Sequence, residues 1–250
     1  MTVTASPEIH EATSFLTELA PADPLDHAII TTLSPDSARD LDFPRYKRLV
    51  YALYSSDGGT TTVPEFHPQG PTETFYVAAL HPDLSAFYTK EPQTPIEAEI
   101  AQDFNQIAGF FRLDLGTYDG TNPLFDAQVL LKSSGHPTGV WPADIWPHHL
   151  PCVYYSSFSP HFLLSRDTRV RLLRQLFDQA YLLTRQRRVD NHAFIVLTTH
   201  VRQFVEDTDW RLEPIEAVLN HTDPYAHNIF TNFPTYWGKD PRLYRLLPPR

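Results

Sequence analysis

The sequence is poor in the residues that most often announce a function. It has one cysteine, Cys152, which excludes an internal disulfide and any zinc site built on cysteine pairs. A lone cysteine also fits a reducing compartment. Only four of its twenty basic residues are lysines, and the net charge is −10. Nucleic-acid binding needs an exposed excess of positive charge to displace counterions, so no nucleic-acid partner is expected. There are nine glycines, and none sits in a GxGxxG or GxxxxGK turn, which argues against Rossmann redox chemistry and nucleotide hydrolysis. No apolar run is long enough for a membrane span. The opening residues, MTVTASPEIHEATSFLTEL, carry three glutamates and no basic stretch ahead of apolar residues. No signal peptide is expected, and the expected location is cytoplasmic.

Against these absences stand 250 residues, 42% of them apolar, enough to bury a substantial core. Ser6-Pro7 opens a short helix that ends near Pro21, and residues 27–33 alternate as a strand. A helical region follows Ser34-Pro35 and ends in FPRYKRLVYALYSS, with Tyr46, Val50, Leu53 and Tyr54 on one face. After a loop with Gly58-Gly59, TETFYVAALHP reads as a strand. Residues 91–106 are acidic and poorly periodic. IAGFFRLDLG is a further strand, and FDAQVLLKSS a strand or short helix.

Residues 135–151, GHPTGVWPADIWPHHLP, hold four prolines and are expected as a loop. CVYYSSF is the strand after it, and from Asp167 to Arg188 Leu173, Leu176, Phe177, Ala180 and Leu183 form one helical stripe. NHAFIVLTT is a buried strand, HVRQFVEDTD a short helix and WRLEPIE a final strand. Residues 221–250 are rich in aromatics and proline with little periodicity; Phe230, Phe233, Tyr236 and Trp237 suit packing across a sheet edge or against a partner. The order predicts an α/β or α+β domain with one sheet covered by helices, and a parallel crossover over 152–198.

Several residues can carry chemistry, each with a plainer reading beside it. Cys152 can be a nucleophile near His148, His149 and His161, but a cysteine entering a buried strand is more often inert. Those histidines with His192, His200, His221 and His227 can be combined into a metal site for a hydrolase, yet none follows HExxH spacing, and scattered surface histidines are the plainer reading. Trp141 and Trp146 either line a pocket mouth or pack a loop onto the sheet. Tyr154 and Tyr155 point to opposite strand faces, so only one can face a cleft. Arg166, Arg169, Arg171 and Arg174 surround a helix start; Arg171 and Arg174 with Arg185 and Arg188 also read as a solvated face.

The succession IAGFFRLD, Pro/Trp loop, VYYSSFSPHF, helix, NHAFIVLTT, helix, WRLEPI resembles the acyl-homoserine-lactone synthase branch of the GNAT acyltransferases, near the N-acyl amino acid synthases. Gly109, Arg112 and Leu113 match that branch's glycine three residues before Arg-Leu. Tyr154 to Phe158 stand where it has Glu-x-Ser-Arg-Phe, so Tyr154 and Ser157 replace its Glu and Arg, and PEFHPQG does not reproduce its acidic cluster. The order of elements matches over residues 25–215.

The resemblance implies a GNAT-like mixed central sheet covered by helices, with a splayed parallel strand pair that receives a pantetheine arm. It divides the chain into an N-terminal helical extension over 1–24, an acyltransferase domain over 25–220 and a C-terminal segment over 221–250 packed on it. The implied co-substrate is an acyl-CoA or the phosphopantetheine of an acyl carrier protein, with no metal, and the acceptor a small amine resembling an amino acid.

Catalysis would fall to Tyr154, Tyr155 and Ser157, a tyrosine protonating the departing thiolate. Donor binding would fall to Phe158, Ser159, His161, Phe162, Arg166 and Arg169, with phosphate at a helix N-terminus. Acceptor binding would fall to Arg112, Trp141 and Trp146. The turn SPHFLLSRD has no glycine where many acetyltransferases have Q/R-x-x-G-x-G/A. Loss of the Glu and Arg leaves open an acyl-binding or nucleotide-binding protein without turnover.

Overall fold

A computed structural model describes residues 24–53, 73–133, 141–189, 192–234 and 240–249. The expected N-terminal helix, the loop around Gly58-Gly59, Tyr236 and Trp237 lie outside the described residues.

A seven-stranded sheet comprises β1 (Ile29–Leu33), β2 (Glu73–Leu80), β3 (Ile107–Thr117), β5 (Pro151–Pro160), β6 (Ala193–Leu197), β7 (Arg211–Ile215) and β9 (Arg242–Leu247), in the order β1-β2-β3-β5-β6-β9-β7. A short pair, β4 (Leu131–Ser133) and β8 (Ala217–Leu219), lies apart from it. Every neighbouring pair in the large sheet is antiparallel except β5 and β6. These two are joined through α5 (Arg166–Gln186), the expected parallel crossover.

Helix α5 begins where Ser165 accepts the Thr168 N–H at 3.0 Å, an N-cap that satisfies one of the donors a helix start leaves over. Its stripe of Leu172, Leu173, Leu176, Phe177 and Ala180 is buried against Phe111, Leu113 and Leu115 of β3. Strand β3 is central and buried along nearly its whole length, which is why it reads as a near-continuous apolar run. Gly109 is required by close approach: a Cβ there would lie 2.9 Å from Leu172 Cδ2 and 3.1 Å from Pro160 Cα.

Three elements were not legible as such. α3 (Pro95–Asp103) occupies the stretch without clear periodicity, started by a capping box between Thr94 and Glu97 with proline in its first turn. WRLEPIE is not the last strand. α7 (Pro224–Asn232) follows, capped by Asp223, which accepts from the Tyr225 and Ala226 N–H groups at 2.9 and 3.0 Å. RLYRLL then forms β9 inside the sheet, between β6 and β7. Arg242 is exposed and Arg245 half-buried while Leu243, Tyr244 and Leu246 are buried, a pattern that only the two flanking strands make sense of.

The face of the sheet opposite α5 carries two apolar clusters. One joins α1 (Pro35–Asp40), α2 (Phe43–Ala52) and α3 to the sheet through Phe43, Tyr46, Ile100, Phe104 and Phe110. The other gathers Phe125, Trp141, Trp146, Tyr154, Phe194 and the α7 residues Ile229 and Phe230.

Candidate functional site

Strands β5 and β6 pair only from Val153–Ala193 to Tyr155–Ile195. Beyond that rung β5 stays with β3, while Val196 and Leu197 of β6 continue with β9. The divergence begins at a β-bulge. Phe110 pairs with Ser159 and Arg112 with Ser156, so Ser157 and Phe158 of β5 together oppose Phe111. A bulge of this kind bends its strand and re-aims its backbone. Past Tyr155, β5 therefore presents an edge toward β6 that has no β6 partner.

Five residues separate β5 from α5, and a groove of about 470 Å³ opens beside the first turn of the helix. Phe162, Ser165, Arg166, Arg169, Lys90 and Glu97 are among the residues that line it. The Lys90 ammonium lies 5.0 Å from the Phe162 ring centre. Arg166 is held by Asp207 at 2.6 Å, at the end of α6 (Thr199–Glu206), and both Arg166 and Arg169 stack over Phe204. Glu97 spends its carboxylate on the Gln93 and Thr94 N–H groups, at 2.6 and 3.0 Å. The groove is thus cationic, and it sits where a helix dipole favours an anion.

A polar strip flanks the last shared rung, on the face opposite α5. Asp114 accepts from Thr74 Oγ1 at 2.8 Å, Arg112 Nε at 2.9 Å and Ser156 Oγ at 3.3 Å. Asp126 joins it from the residue before α4 (Ala127–Leu130), where its side chain does not cap the helix. Burial first, and the Asp114 charge second, push the Asp126 carboxyl above its ordinary range; Arg112, Lys47 and the Ala127 amide only partly offset this. Sequence reading passed over Asp114 and Asp126. The available cue was an aspartate on the same strand face as Arg112.

The sequence-selected residues fall in three places. Phe158, Ser159, Phe162, Arg166 and Arg169 mark the path from the bulge to the groove, and Arg112 belongs to the polar strip. Tyr154 and Tyr155 do point to opposite faces, but each is enclosed, Tyr154 beside Phe125 and Tyr155 between Phe111 and Phe177. The Ser157 side chain lies outside the described residues.

His161 is fully buried, stacked on Tyr88 and Phe162, with Nε2 3.3 Å from the Tyr88 hydroxyl. Burial lowers its pKa to about 4, so its imidazole is neutral near pH 7. Trp141 and Trp146 are both fully enclosed; Trp141 donates to the Gln128 carbonyl at 3.1 Å and Trp146 stacks on Phe194 at 4.2 Å. They pack the proline-rich loop onto the sheet.

Cys152 is buried, with its thiol pushed up to about 11 by burial, which leaves it un-ionised and a poor nucleophile. Among the described residues no three His, Cys, Asp or Glu side chains are grouped to hold a metal, and no helix is long and apolar enough to cross a membrane.

No family model and no curated protein matches the chain by sequence. Among solved structures it is similar to the AHL synthase LasI, with TM-score 0.44 and 11% identity over 88% of this chain and 89% of that one. It is also similar to TofI in a ternary complex with an inhibitor and MTA, with TM-score 0.44 and 12% identity over 88% and 89%. A third is Arabidopsis thaliana NAA60 in complex with acetyl-CoA, with TM-score 0.40 and 8% identity over 87% and 96%. The chain's mixed sheet, single parallel pair and crossover helix are those the sequence led us to expect.

Proposed function

We propose that the protein is a GNAT-like N-acyltransferase that moves an acyl group from a thioester on coenzyme A or an acyl carrier protein to a small, amino-acid-like amine. The observation that carries this reading is the split beyond the Tyr155–Ile195 rung, where the edge of β5 past that rung has no β6 partner. Such an edge suits a pantetheine arm, whose amides can pair with it as a short extra strand would. Backbone N–H groups there can also stabilise the oxyanion that forms as an amine attacks a thioester.

The fit continues at the far end. Lys90, Arg166 and Arg169 surround the groove at the start of α5, where a phosphate of the donor would be held by charge-assisted bonds and helix N–H groups. Arg171 and Arg174 extend the basic character along the first turns of α5 and suit the acidic surface of a carrier protein. Arg112 in the polar strip would orient the acceptor. A reducing, cytoplasmic setting agrees with the lone buried cysteine.

Titration of the full chain with decanoyl-CoA, with free CoA and with a decanoylated carrier protein tests the reading. Micromolar binding of at least one thioester, weaker at high salt, is expected. Absence of binding to all three overturns it. Thioester binding without product from any amine would make the chain an acyl-binding protein, the reading favoured by the enclosure of Tyr154 and Tyr155.

A further inference from the structure

The groove at the start of α5 is built by two segments far apart in the chain. One is the turn that leads into the helix; the other is the stretch around Thr89 and Lys90. Thr89 clips that stretch to the turn: its N–H and its hydroxyl both donate to the Leu163 carbonyl, at 2.9 and 3.0 Å. Tyr88 adds a ring stacked on His161 at 4.9 Å, and its hydroxyl donates to the Ala101 carbonyl at 3.1 Å. Lys90 therefore follows directly on two anchored residues, although it is itself exposed.

The charges in the groove are unevenly spent. Arg166 is paired with Asp207, and with Arg169 it lies over Phe204. Glu97, the one acidic side chain among the described residues that line the groove, turns its carboxylate to the Gln93 and Thr94 N–H groups. No carboxylate among the described residues pairs with Lys90, whose ammonium is placed over the Phe162 ring. A cation–π contact orients an ammonium without neutralising its charge.

Size points the same way. A groove of about 470 Å³ falls within the range of small-molecule pockets and exceeds what one phosphodiester needs. A carrier protein holds its pantetheine through a single phosphodiester. Coenzyme A continues past its diphosphate into adenosine with a 3′-phosphomonoester, which carries close to two negative charges near pH 7 because its second pKa is about 6. The groove thus offers more room, and one more uncommitted cation, than a carrier-protein donor uses.

We propose that Lys90 binds the 3′-phosphomonoester of the donor, so that the chain takes its acyl group from a coenzyme A thioester and not from a carrier protein. This rests on the acyltransferase reading. Arg166, Arg169 and the N–H groups at the start of α5 then serve the diphosphate, while Lys90 reads the feature by which coenzyme A differs from a shorter pantetheine donor. Lysine suits that task, being a compact point charge whose three donors rotate to meet a phosphate. Lys90 touches no reacting atom; it determines which donor is held.

The test titrates the full chain with decanoyl-CoA, decanoyl-3′-dephospho-CoA and a decanoylated carrier protein, for wild type, Lys90→Gln and Lys90→Arg. Wild type should bind decanoyl-CoA roughly tenfold more tightly than the dephospho form at low salt, the size of one charge-assisted contact, and by a smaller ratio at high salt. That preference should vanish in Lys90→Gln and largely return in Lys90→Arg. Melting of Lys90→Gln should match wild type, since the residue is exposed and ion-paired with no described residue. Adenosine 3′,5′-bisphosphate should displace decanoyl-CoA at concentrations where inorganic phosphate does not.

Equal wild-type affinity for decanoyl-CoA and its dephospho form overturns the assignment while leaving the donor site standing. So does a Lys90→Gln chain that keeps the full preference, and so does displacement by inorganic phosphate alone. Tighter binding of the decanoylated carrier protein than of decanoyl-CoA overturns the choice of donor. Failure to bind any of the three thioesters overturns both this assignment and acyl transfer.

Discussion

Tyr155 pairs with Ile195 on the last rung that β5 and β6 share, and the two strands part immediately after it. Two features accompany the parting: the bulge of β5 opposite Phe111 and the β3 glycine that pairs with Pro160. Gly109 lets Leu172 of α5 and the backbone of Pro160 come within contact distance of its Cα face. A methyl group there would press on both.

Gly109→Ala is therefore expected to destabilise the chain by about 1–3 kcal/mol through overpacking against backbone that cannot yield as a side-chain tip would. Urea denaturation checks this. Donor affinity should fall as well, because Pro160 and Ser159, whose carbonyl lies 3.2 Å from the added Cβ, belong to the arm of the split.

Arg166→Ala should separate binding from stability. The Arg166–Asp207 pair is well exposed, and exposed pairs contribute little to folding. Melting should hardly change, while affinity for an acyl-CoA should fall by roughly tenfold at low salt, the size of one lost charge-assisted contact, and by less at high salt. Equal affinities at low salt would remove Arg166 from the donor site.

Trp146→Ala should act through the core. Replacing a fully buried tryptophan stacked at 4.2 Å on Phe194 is expected to lower stability by about 3–5 kcal/mol. Where the variant remains folded, its preference among acyl-CoA chain lengths should match wild type. A changed preference would instead place Trp146 against the acyl chain.

His161 links acidity to stability. Its folded pKa, lowered to about 4 by burial, lies below the ordinary 6.5, so the unfolded chain binds this proton first as pH falls. Stability should thus be whole above pH 6.5 and decline from 6.5 toward 4, by roughly 3 kcal/mol from this group. Chemical denaturation across that range, compared with His161→Phe, reads it: the variant should show a shallower decline. Identical slopes would assign acid sensitivity to other groups.

Much of the order of elements was open to reading because it depends on neighbours along the chain. The leucine stripe of α5 and the apolar run of β6 each state their own structure through periodicity, and together they imply a parallel crossover. The caps of α3 and α7 were equally local: Thr94-Pro95 with Glu97, and Asp223-Pro224, follow the rules for helix starts. They were obscured by weak periodicity in the helices behind them. RLYRLL is different, because a six-residue strand with two arginines has no local mark of being interior.

The candidate site divides in the same way. Arginines at the start of α5 could be placed at a helix N-terminus from sequence, since the helix itself determines that position. The polar strip could not. Arg112 and Asp114 are two apart on β3, but Thr74, Ser156 and Asp126 come from 40, 42 and 12 residues away in the chain relative to Asp114. Only strand register and the fold of α4 onto the sheet bring them together. Burial, which silences Cys152 and His161 and raises the proton affinity of Asp126, is likewise a property of the packed molecule. The sequence determined which segments form helix and strand; tertiary packing decided which polar groups lost their water, and with it which of them are fit for chemistry.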